Sequence, residues 1–210
     1  MGSKFGDLWS MARERDIGTG EPLFTPEQAE LLTSCYEQSW AVVIGINEYA
    51  HTDKLQYARA DAELVAGTLA ELGFSPANIT TLVDGEATRQ NIQDVLSVEM
   101  AEKTGKNDRL FVFFAGHGQD YKAASGKTMG FFLPVDADPR KLTSRGISMD
   151  DVGTWSDLVP AKHILYVMDC CYSGIAATRS SGFKQSHRSY LGKITSRSVR
   201  QIITAGRADE

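Results

Sequence analysis

From residue 41 onward, short apolar runs alternate with stretches that have helical periodicity. An apolar run of roughly four to eight residues predicts a strand that is buried on both faces. Strands of this kind, alternating with helices, are typical of a parallel sheet covered by helices on both sides. The predicted strands are 41–47, 79–83, 109–115, 163–169 and 200–205. The sequence therefore predicts an α/β fold with a mostly parallel sheet.

Helical periodicity is clearest between the first two predicted strands. The spacing predicts a helix over 58–72 with a single apolar stripe facing the sheet. The stripe consists of Ala58, Ala62, Val65, Leu69 and Leu72. Further helices are predicted near 88–102 and 150–159, and Ser148 with Asp151 has the pattern of an N-terminal capping box for the latter. The run TMGFFLPV at 128–135 predicts a short hairpin.

Two regions depart from this alternation. Residues 1–38 predict an N-terminal helical extension, with a Gly-rich break at 18–20. Residues 175–198, which we call the basic loop, are rich in Ser, Gly, Arg and Lys and predict an exposed loop. Loops of this length are uncommon unless they are functional. We therefore divide the chain into an extension, 1–38, and a domain, 39–210, that contains the basic loop.

Composition limits the classes of partner. The net charge of -5 lacks the basic surplus typical of nucleic-acid-binding proteins. The apolar runs are far shorter than the roughly 20 residues of a membrane span, and the N-terminus lacks a signal-peptide pattern. Three cysteines, two of them adjacent, do not form an ordinary disulfide framework and indicate a reducing compartment. We expect a soluble, cytoplasmic protein that binds neither nucleic acid nor membrane.

Two of the predicted strands end in residues with reactive side chains. The third predicted strand ends in Ala-Gly-His117-Gly118, and the fourth in Asp169-Cys170-Cys171. If these strands are neighbours, His117 and a cysteine emerge at one edge of the sheet, where an imidazole can activate a thiol for acyl transfer. The amides of Gly118 and Cys171 would then be candidates for an oxyanion hole.

Each residue also has a structural interpretation. Taken singly, a histidine after a buried strand is more often a polar strand end than a catalyst, and a strand-end cysteine is commonly a small core residue. Their occurrence together, in two glycine-bracketed turns after strongly apolar strands, favours catalysis.

Four blocks of the sequence resemble those of one family. VVIGIN, ARADAELVAGTL, FFAGHGQD and YVMDCCYSG resemble, in this order, the blocks of caspase-like peptidases, above all metacaspases and prokaryotic caspase homologues. The resemblance covers roughly residues 40–206 and implies a three-layer caspase-like fold. It also implies that Cys171, rather than Cys170, is the nucleophile, with His117 as its partner and the amides of Gly118 and Cys171 as oxyanion hole.

The resemblance further implies a specificity pocket. In metacaspases, two acids that match Asp169 and Asp61 bind the Arg or Lys side chain of the substrate, which is cleaved after that residue. Charge-assisted hydrogen bonds between carboxylate and cation account for this preference. An exposed helical acid remains an alternative for Asp61, whereas Asp169 is expected where a buried strand would otherwise be apolar. Six cations on an exposed segment between 179 and 200 make this segment a candidate for processing by the protease itself or a sibling. A solvated loop or a patch for acidic partners is the alternative. The cations are Arg179, Lys184, Arg188, Lys193, Arg197 and Arg200.

The chain departs from the family pattern at three points. Tyr172 follows the cysteine where metacaspases usually have histidine. Asp150 and Asp151 resemble part of a calcium site, but two acids fall short of the six or more oxygens that calcium prefers. We therefore interpret them first as helix-capping residues and expect no cofactor. The resemblance also implies a large-subunit-like portion that lacks the C-terminal part of the fold. Expected partners are protein substrates with Arg or Lys and a C-terminal small-subunit-like fragment or an activating protease.

Two other functions compete with a peptidase. One is a catalytically silent caspase-like module that binds or regulates partners, against which the retention of both His117 and Cys171 argues. The other is an unrelated doubly wound enzyme that binds a nucleotide or phosphate. GINEYA after the first strand is neither a P-loop nor a dinucleotide motif, which argues against it.

Overall fold

The computed structural model describes residues 35–170 and 198–204. The chain divides into two compact units, Met1–Glu37 and Gln38–Glu210. The N-terminal extension expected over 1–38, apart from its last four residues, lies outside the described residues, as does the basic loop except for Ser198.

Eight strands lie in the described part of the second unit. They are β1 Ser39–Gly45, β2 Ile79–Val83, β3 Arg109–Ala115, β4 Gly118–Lys122, β5 Thr128–Phe132, β6 Ile147–Ser148, β7 His163–Asp169 and β8 Val199–Thr204. Five of them form a sheet in the order β2-β1-β3-β7-β8, in which every neighbouring pair is parallel. The predicted parallel sheet is therefore confirmed, with strand boundaries that differ from the predicted ones by at most two residues.

The helices of the described residues connect these strands. They are α1 Ala58–Glu71, α2 Arg89–Asp94, α3 Met100–Lys103, α4 Leu142–Arg145 and α5 Met149–Leu158. The helix predicted over 88–102 is one run whose middle, Val95–Glu99, is a π-helical turn between α2 and α3. Within the described residues, no helix is long and apolar enough to cross a membrane.

One face of the sheet is covered by α1. Ala58, Ala62 and Leu69 are buried against strand residues such as Val43 and Phe113, as the predicted stripe requires. The helix approaches closely because β1 ends in glycine. A Cβ at Gly45 would lie 2.4 Å from the carbonyl oxygen of Ala58 and 2.5 Å from Cβ of Ala62.

The prediction was wrong for the last member of the stripe. Leu72 follows the end of α1 and is 48% exposed. The chain turns at Gly73, which has a φ of 91°, a conformation that glycine adopts without steric cost. This turn brings Phe74, rather than Leu72, into the apolar cluster beneath α1.

The opposite face is covered by α2, α3 and α5. Ile92, Met100 and Trp155 from these helices belong to one buried cluster with Ile44 and Phe114 of the sheet. The helices therefore lie on both faces, as expected for the three-layer fold.

The predicted capping box is also confirmed. Asp151 N–H donates to Ser148 Oγ at 3.0 Å, and Ser148 N–H donates to the carboxylate of Asp151 at 2.8 Å.

A second, antiparallel sheet has the order β4-β5-β6. The hairpin expected within 128–135 is wrong in its placement, because residues 128–132 form the single strand β5 and pair with β4, which precedes them. The strand β4 was missed because Gly118–Lys122 is mostly polar and lacks apolar alternation. This small sheet begins directly after His117 and thus joins the candidate catalytic edge to α5.

Arg200 fastens the edge strand β8 to the end of α5. Its guanidinium donates to the carbonyl oxygens of Val159 at 3.0 Å, Lys162 at 3.3 Å and Ser156 at 3.4 Å. Carbonyls at a helix C-terminus lack intrahelical partners, so a cation there satisfies them. Arg200 is exposed, as expected, and its bound donors lie in the strand that was predicted over 200–205.

Candidate active site

The ends of β3 and β7 lie side by side. Ala115 pairs with Asp169 in the parallel register, and the Gly116 amide donates to the Asp169 carbonyl oxygen at 3.2 Å. His117 follows Ala115 by two residues, and Cys171 follows Asp169 by two residues. The two strands are thus neighbours, as the proposed dyad requires. Cys171 itself lies outside the described residues, whereas Cys170 before it is buried and belongs to the core cluster.

The imidazole of His117 is held by a backbone carbonyl. Its Nε2 lies 2.9 Å from the carbonyl oxygen of Asp53. A carbonyl oxygen only accepts, so Nε2 carries the hydrogen, and in the neutral ring Nδ1 is left as the acceptor. A histidine in this tautomer presents one basic nitrogen to an incoming proton. This is the arrangement that a general base needs.

Tyr49 supports the same histidine. The phenolic oxygen accepts the backbone amide of His117 at 2.8 Å, and the two rings lie 4.8 Å apart. Burial raises the pKa of the Tyr49 phenol above its usual range, so the group stays neutral. Gly116 makes this contact possible, because a Cβ there would lie 2.4 Å from the Tyr49 hydroxyl. The carbonyl of His117 accepts from Leu133 at 2.9 Å, so both backbone groups of the histidine are bound.

Gly118 begins β4 at a position that leaves its amide turned away from β5. It lies opposite Phe132, and the bond from Leu133 N–H to the His117 carbonyl makes this a non-hydrogen-bonded pair of the antiparallel ladder. The amide of such a residue points to the outer side of the hairpin. Gly118 therefore presents a donor beside His117, as its predicted oxyanion role requires.

The candidate pocket acids lie on one face of the sheet. Gly45, Ala115 and Asp169 form one row across β1, β3 and β7, and residues in such a row point to the same face of a parallel sheet. Ala115 belongs to the cluster under α1, so the row faces that helix. Asp61 is half-buried in the first turn of α1, which lies over Gly45. Both acids are thus at the same end and face, next to two small residues.

The environment of Asp169 differs from the expectation. The sequence suggested an acid in a buried strand, but Asp169 is exposed, while its neighbour Met168 is 1% exposed. As the last residue of β7, it extends past the core at the edge where the candidate catalytic groups lie. The expectation that Asp169 is a buried acid was therefore wrong. An exposed acid at this edge is accessible to a cationic substrate.

Asp150 and Asp151 already have protein partners. Asp151 is bound in the capping box, and Asp150 forms an ion pair with Lys127 at 3.2 Å. Within residues 35–170 and 198–204, no group of three or more His, Cys, Asp or Glu is placed to hold a metal ion. Their interpretation as helix-capping residues is confirmed for Asp151. The expectation that no cofactor is required stays a prediction.

Sequence reasoning missed Tyr49 and Asp53. Asp53 acts through its backbone carbonyl, and such a contact has no signature in the side-chain sequence. Tyr49 offered a weak signal, because an aromatic residue shortly after β1 belongs to the same sheet edge as His117.

Comparisons with known proteins identify a family for this chain. The sequence model of the caspase domain, Peptidase C14, matches residues 38–205. Metacaspase-6 of Arabidopsis thaliana is 30% identical over 141 residues, which are 64% of this chain and 38% of that protein. The crystal structure of protein GSU0716 from Geobacter sulfurreducens is similar with a TM-score of 0.55 and 26% identity, over 65% of this chain and 52% of the other.

The chain thus spans about two fifths of the length of the metacaspase and about half of the solved structure. The family match covers most of the chain, from just before β1 to just after β8, and includes every residue of the strand edge described above. The chain belongs to the caspase-domain family, Peptidase C14.

Proposed function

We propose that this protein is a cysteine endopeptidase that cleaves proteins after Arg or Lys through a Cys171–His117 dyad. The observation that supports it most is the bond between His117 Nε2 and the Asp53 carbonyl, at the end of the strand that pairs with β7. This bond fixes the tautomer in which Nδ1 accepts a proton. The buried position of Cys170 supports the assignment of Cys171 as the nucleophile.

The proposed reaction begins with proton transfer. His117 Nδ1 takes the proton of the Cys171 thiol, and the thiolate attacks the carbonyl carbon of the scissile peptide bond. The amides of Gly118 and Cys171 donate to the oxyanion that forms. The imidazolium then protonates the leaving amine as the C–N bond breaks, which leaves a thioester on Cys171.

Hydrolysis completes the cycle. His117 removes a proton from a water molecule that attacks the thioester, and the C–S bond breaks to release the carboxylic acid and the thiolate. Thiol and imidazole carry every proton transfer, so the reaction as written needs no cofactor. We propose the cytoplasm as the compartment, because it keeps a catalytic thiol reduced.

Substrate selection is proposed to reside in Asp169 and Asp61. Asp169 lies on the face of the sheet that α1 covers, and Asp61 lies in α1 itself, with Gly45 and Ala115 beside them. This arrangement supports a pocket for one long cationic side chain. Arg would pair there bidentately, and Lys as a point charge. A caspase that cleaves after Asp would need cations at these positions instead.

The direct test uses short fluorogenic peptides with Arg, Lys or Asp at the cleaved position. We expect turnover of the Arg and Lys peptides only, and covalent labelling of Cys171 by an Arg-containing peptide that carries a thiol-reactive group. The Cys171→Ala protein serves as the control and should do neither. Absence of both turnover and labelling in the wild type, after any activating cleavage, would instead support the silent binding module.

Processing in the basic loop is a second expected result. With Arg200 bound in β8, five cations between Arg179 and Arg197 remain as candidate cleavage sites. We propose that the protein is made as a zymogen, and we expect mass spectrometry to find fragments that end in one of these residues in the wild type. The Cys171→Ala protein should stay intact alone and be cut when active protein is added. Intact loops in both proteins would contradict self-processing, and activation by a separate protease would be the remaining route.

A further inference from the structure

The residue directly after β2 is an acid with an unusual backbone conformation. Asp84 has a φ of 45° and is the only non-glycine residue with a positive φ among residues 35–170 and 198–204. This conformation is sterically costly for most side chains, although Asp and Asn tolerate it better than others. Such residues persist where the surrounding structure holds them, often near functional sites.

The carboxylate of Asp84 has three donors around it. Its Oδ1 accepts the backbone amides of Asn47 at 2.8 Å and Glu48 at 3.0 Å. Its Oδ2 lies 3.5 Å from Nη1 of Arg59, and only 16% of the side chain is exposed. A charged acceptor with two amide donors forms bonds that are stronger than those between neutral groups.

These three donors flank one segment, residues 47–59, which we call the histidine-supporting loop. Asn47 forms three hydrogen bonds with other residues of this loop. Its carbonyl accepts the amide of Leu55 at 3.0 Å, its Oδ1 accepts that of Arg59 at 3.2 Å, and its Nδ2 donates to the carbonyl of Gln56 at 3.3 Å. An ion pair between Glu48 and Lys54 closes the same loop. Asp84 thus holds the start of the loop and contacts its end.

The histidine-supporting loop contains both groups that hold His117. Tyr49 accepts the histidine amide, and the Asp53 carbonyl accepts the Nε2 hydrogen. A backbone carbonyl in an exposed loop keeps its direction only if the loop is fixed elsewhere. Two points outside the loop hold it: the carbonyl of Val135, which accepts the amide of Ala50 at 3.1 Å, and Asp84, which directly follows β2. Of the two, only Asp84 acts through a side chain.

We propose that Asp84 is a positioning residue for His117, acting through the histidine-supporting loop. The role rests on the proposed function, in which His117 is the general base. The carboxylate fixes the loop, the loop fixes the Asp53 carbonyl, and the carbonyl holds the imidazole with its hydrogen on Nε2. Asp84 touches neither the imidazole nor the nucleophile's strand in this scheme, so its effect falls on the rate of the chemical step.

Two substitutions separate the carboxylate from the backbone conformation. Asp84→Asn keeps the shape and tolerates the positive φ but removes the charge. Asp84→Gly removes the side chain and accepts this φ more readily than any other residue. The matched control is Glu63→Gln, which removes the other carboxylate partner of Arg59, at 2.9 Å, and leaves every contact of Asp84 in place.

The first measurement is NMR of the intact chain with isotope-labelled histidine, in which the His117 signal is assigned from the His117→Gln protein. We expect one tautomer, with the hydrogen on Nε2, in the wild type and in Glu63→Gln. In Asp84→Gly we expect a mixture of tautomers and faster exchange of the Nε2 hydrogen. Asp84→Asn should fall between these cases.

The second measurement is peptide cleavage. We expect kcat to fall roughly 10-fold in Asp84→Asn and roughly 100-fold in Asp84→Gly, with KM changed less than about twofold, because misplacing a catalytic group costs rate rather than binding. A His117 signal that is unchanged in both variants would overturn the proposal, whatever their activity. If the wild type cleaves no Arg or Lys peptide, the proposed function fails, and the NMR result alone still decides the role of Asp84. If Asp84→Gly does not fold, the signal of Asp84→Asn decides it.

Discussion

We expect the His117→Gln protein to cleave an Arg peptide roughly 1,000-fold more slowly than the wild type, which is within the range for loss of a general acid and base. Glutamine retains much of the size and hydrogen-bonding capacity of histidine but does not carry the proton between Cys171 and the leaving amine. Its amide can still donate to the Asp53 carbonyl, which now holds Nε2 at 2.9 Å, so the loop should keep its place. The measurement is kcat/KM, together with the rate at which iodoacetamide alkylates Cys171 at neutral pH.

Both rates should fall, because iodoacetamide reacts with the thiolate that the imidazole favours. Two controls mark the specificity of this result. His163→Gln changes a histidine at the opposite end of β7, and Cys170→Ala changes the buried neighbour of the nucleophile. Both should keep most of the activity. Wild-type turnover in His117→Gln, or loss of labelling in Cys170→Ala but not in Cys171→Ala, would refute the assigned dyad.

The second large effect is expected at Asp169. Removing one partner of a buried, hydrogen-bonded charge pair costs about 2–5 kcal/mol. Asp169 is exposed before substrate binds, so its pair with substrate is partly screened and we expect the lower end of this range. For Asp169→Asn this corresponds to a decrease of roughly 30- to 150-fold in kcat/KM for an Arg peptide. A peptide library with every residue at the cleaved position would measure it.

Asp157→Asn is the matched control, since Asp157 is an equally exposed acid on α5. It should leave both the rate and the preference unchanged. Asp61→Asn should reduce the Arg preference to a smaller extent, because Asp61 lies in the helix that covers the pocket rather than at the strand end. A wild-type preference for Asp at the cleaved position would show that the pocket assignment is wrong.

The sheet could be predicted from the sequence because its strands are buried on both faces. Runs such as AVVIG in β1 and LFVFFA in β3 have no competing periodicity, and their ends fix which residues reach the carboxyl edge. The edge positions of His117 and Asp169 follow from this alone. The pairing of β3 with β7 did not follow, because strand order in a parallel sheet depends on how the crossovers pack.

Contacts made by backbone atoms and polar strands could not be predicted. The Asp53 carbonyl holds His117 irrespective of its own side chain. The carboxylate of Asp84 reaches the amides of Asn47 and Glu48 from a backbone conformation that this side chain tolerates but does not dictate. The strand β4 is polar because it lies outside the main core, so its sequence resembles that of a loop. Leu72 has the right spacing for the stripe of α1, but the helix ends before it.

The position of β1 has a consequence for biosynthesis. It is the first strand of the sheet in sequence, yet both of its edges are filled by strands made later, β2 on one side and β3 on the other. A nascent chain that has not yet released Phe114 and Ala115 carries the apolar β1 with an open edge, and such edges pair with other chains. This strand order therefore exposes the nascent chain to aggregation on the ribosome. Co-translational chaperones would act during the period between the synthesis of β2 and that of β3.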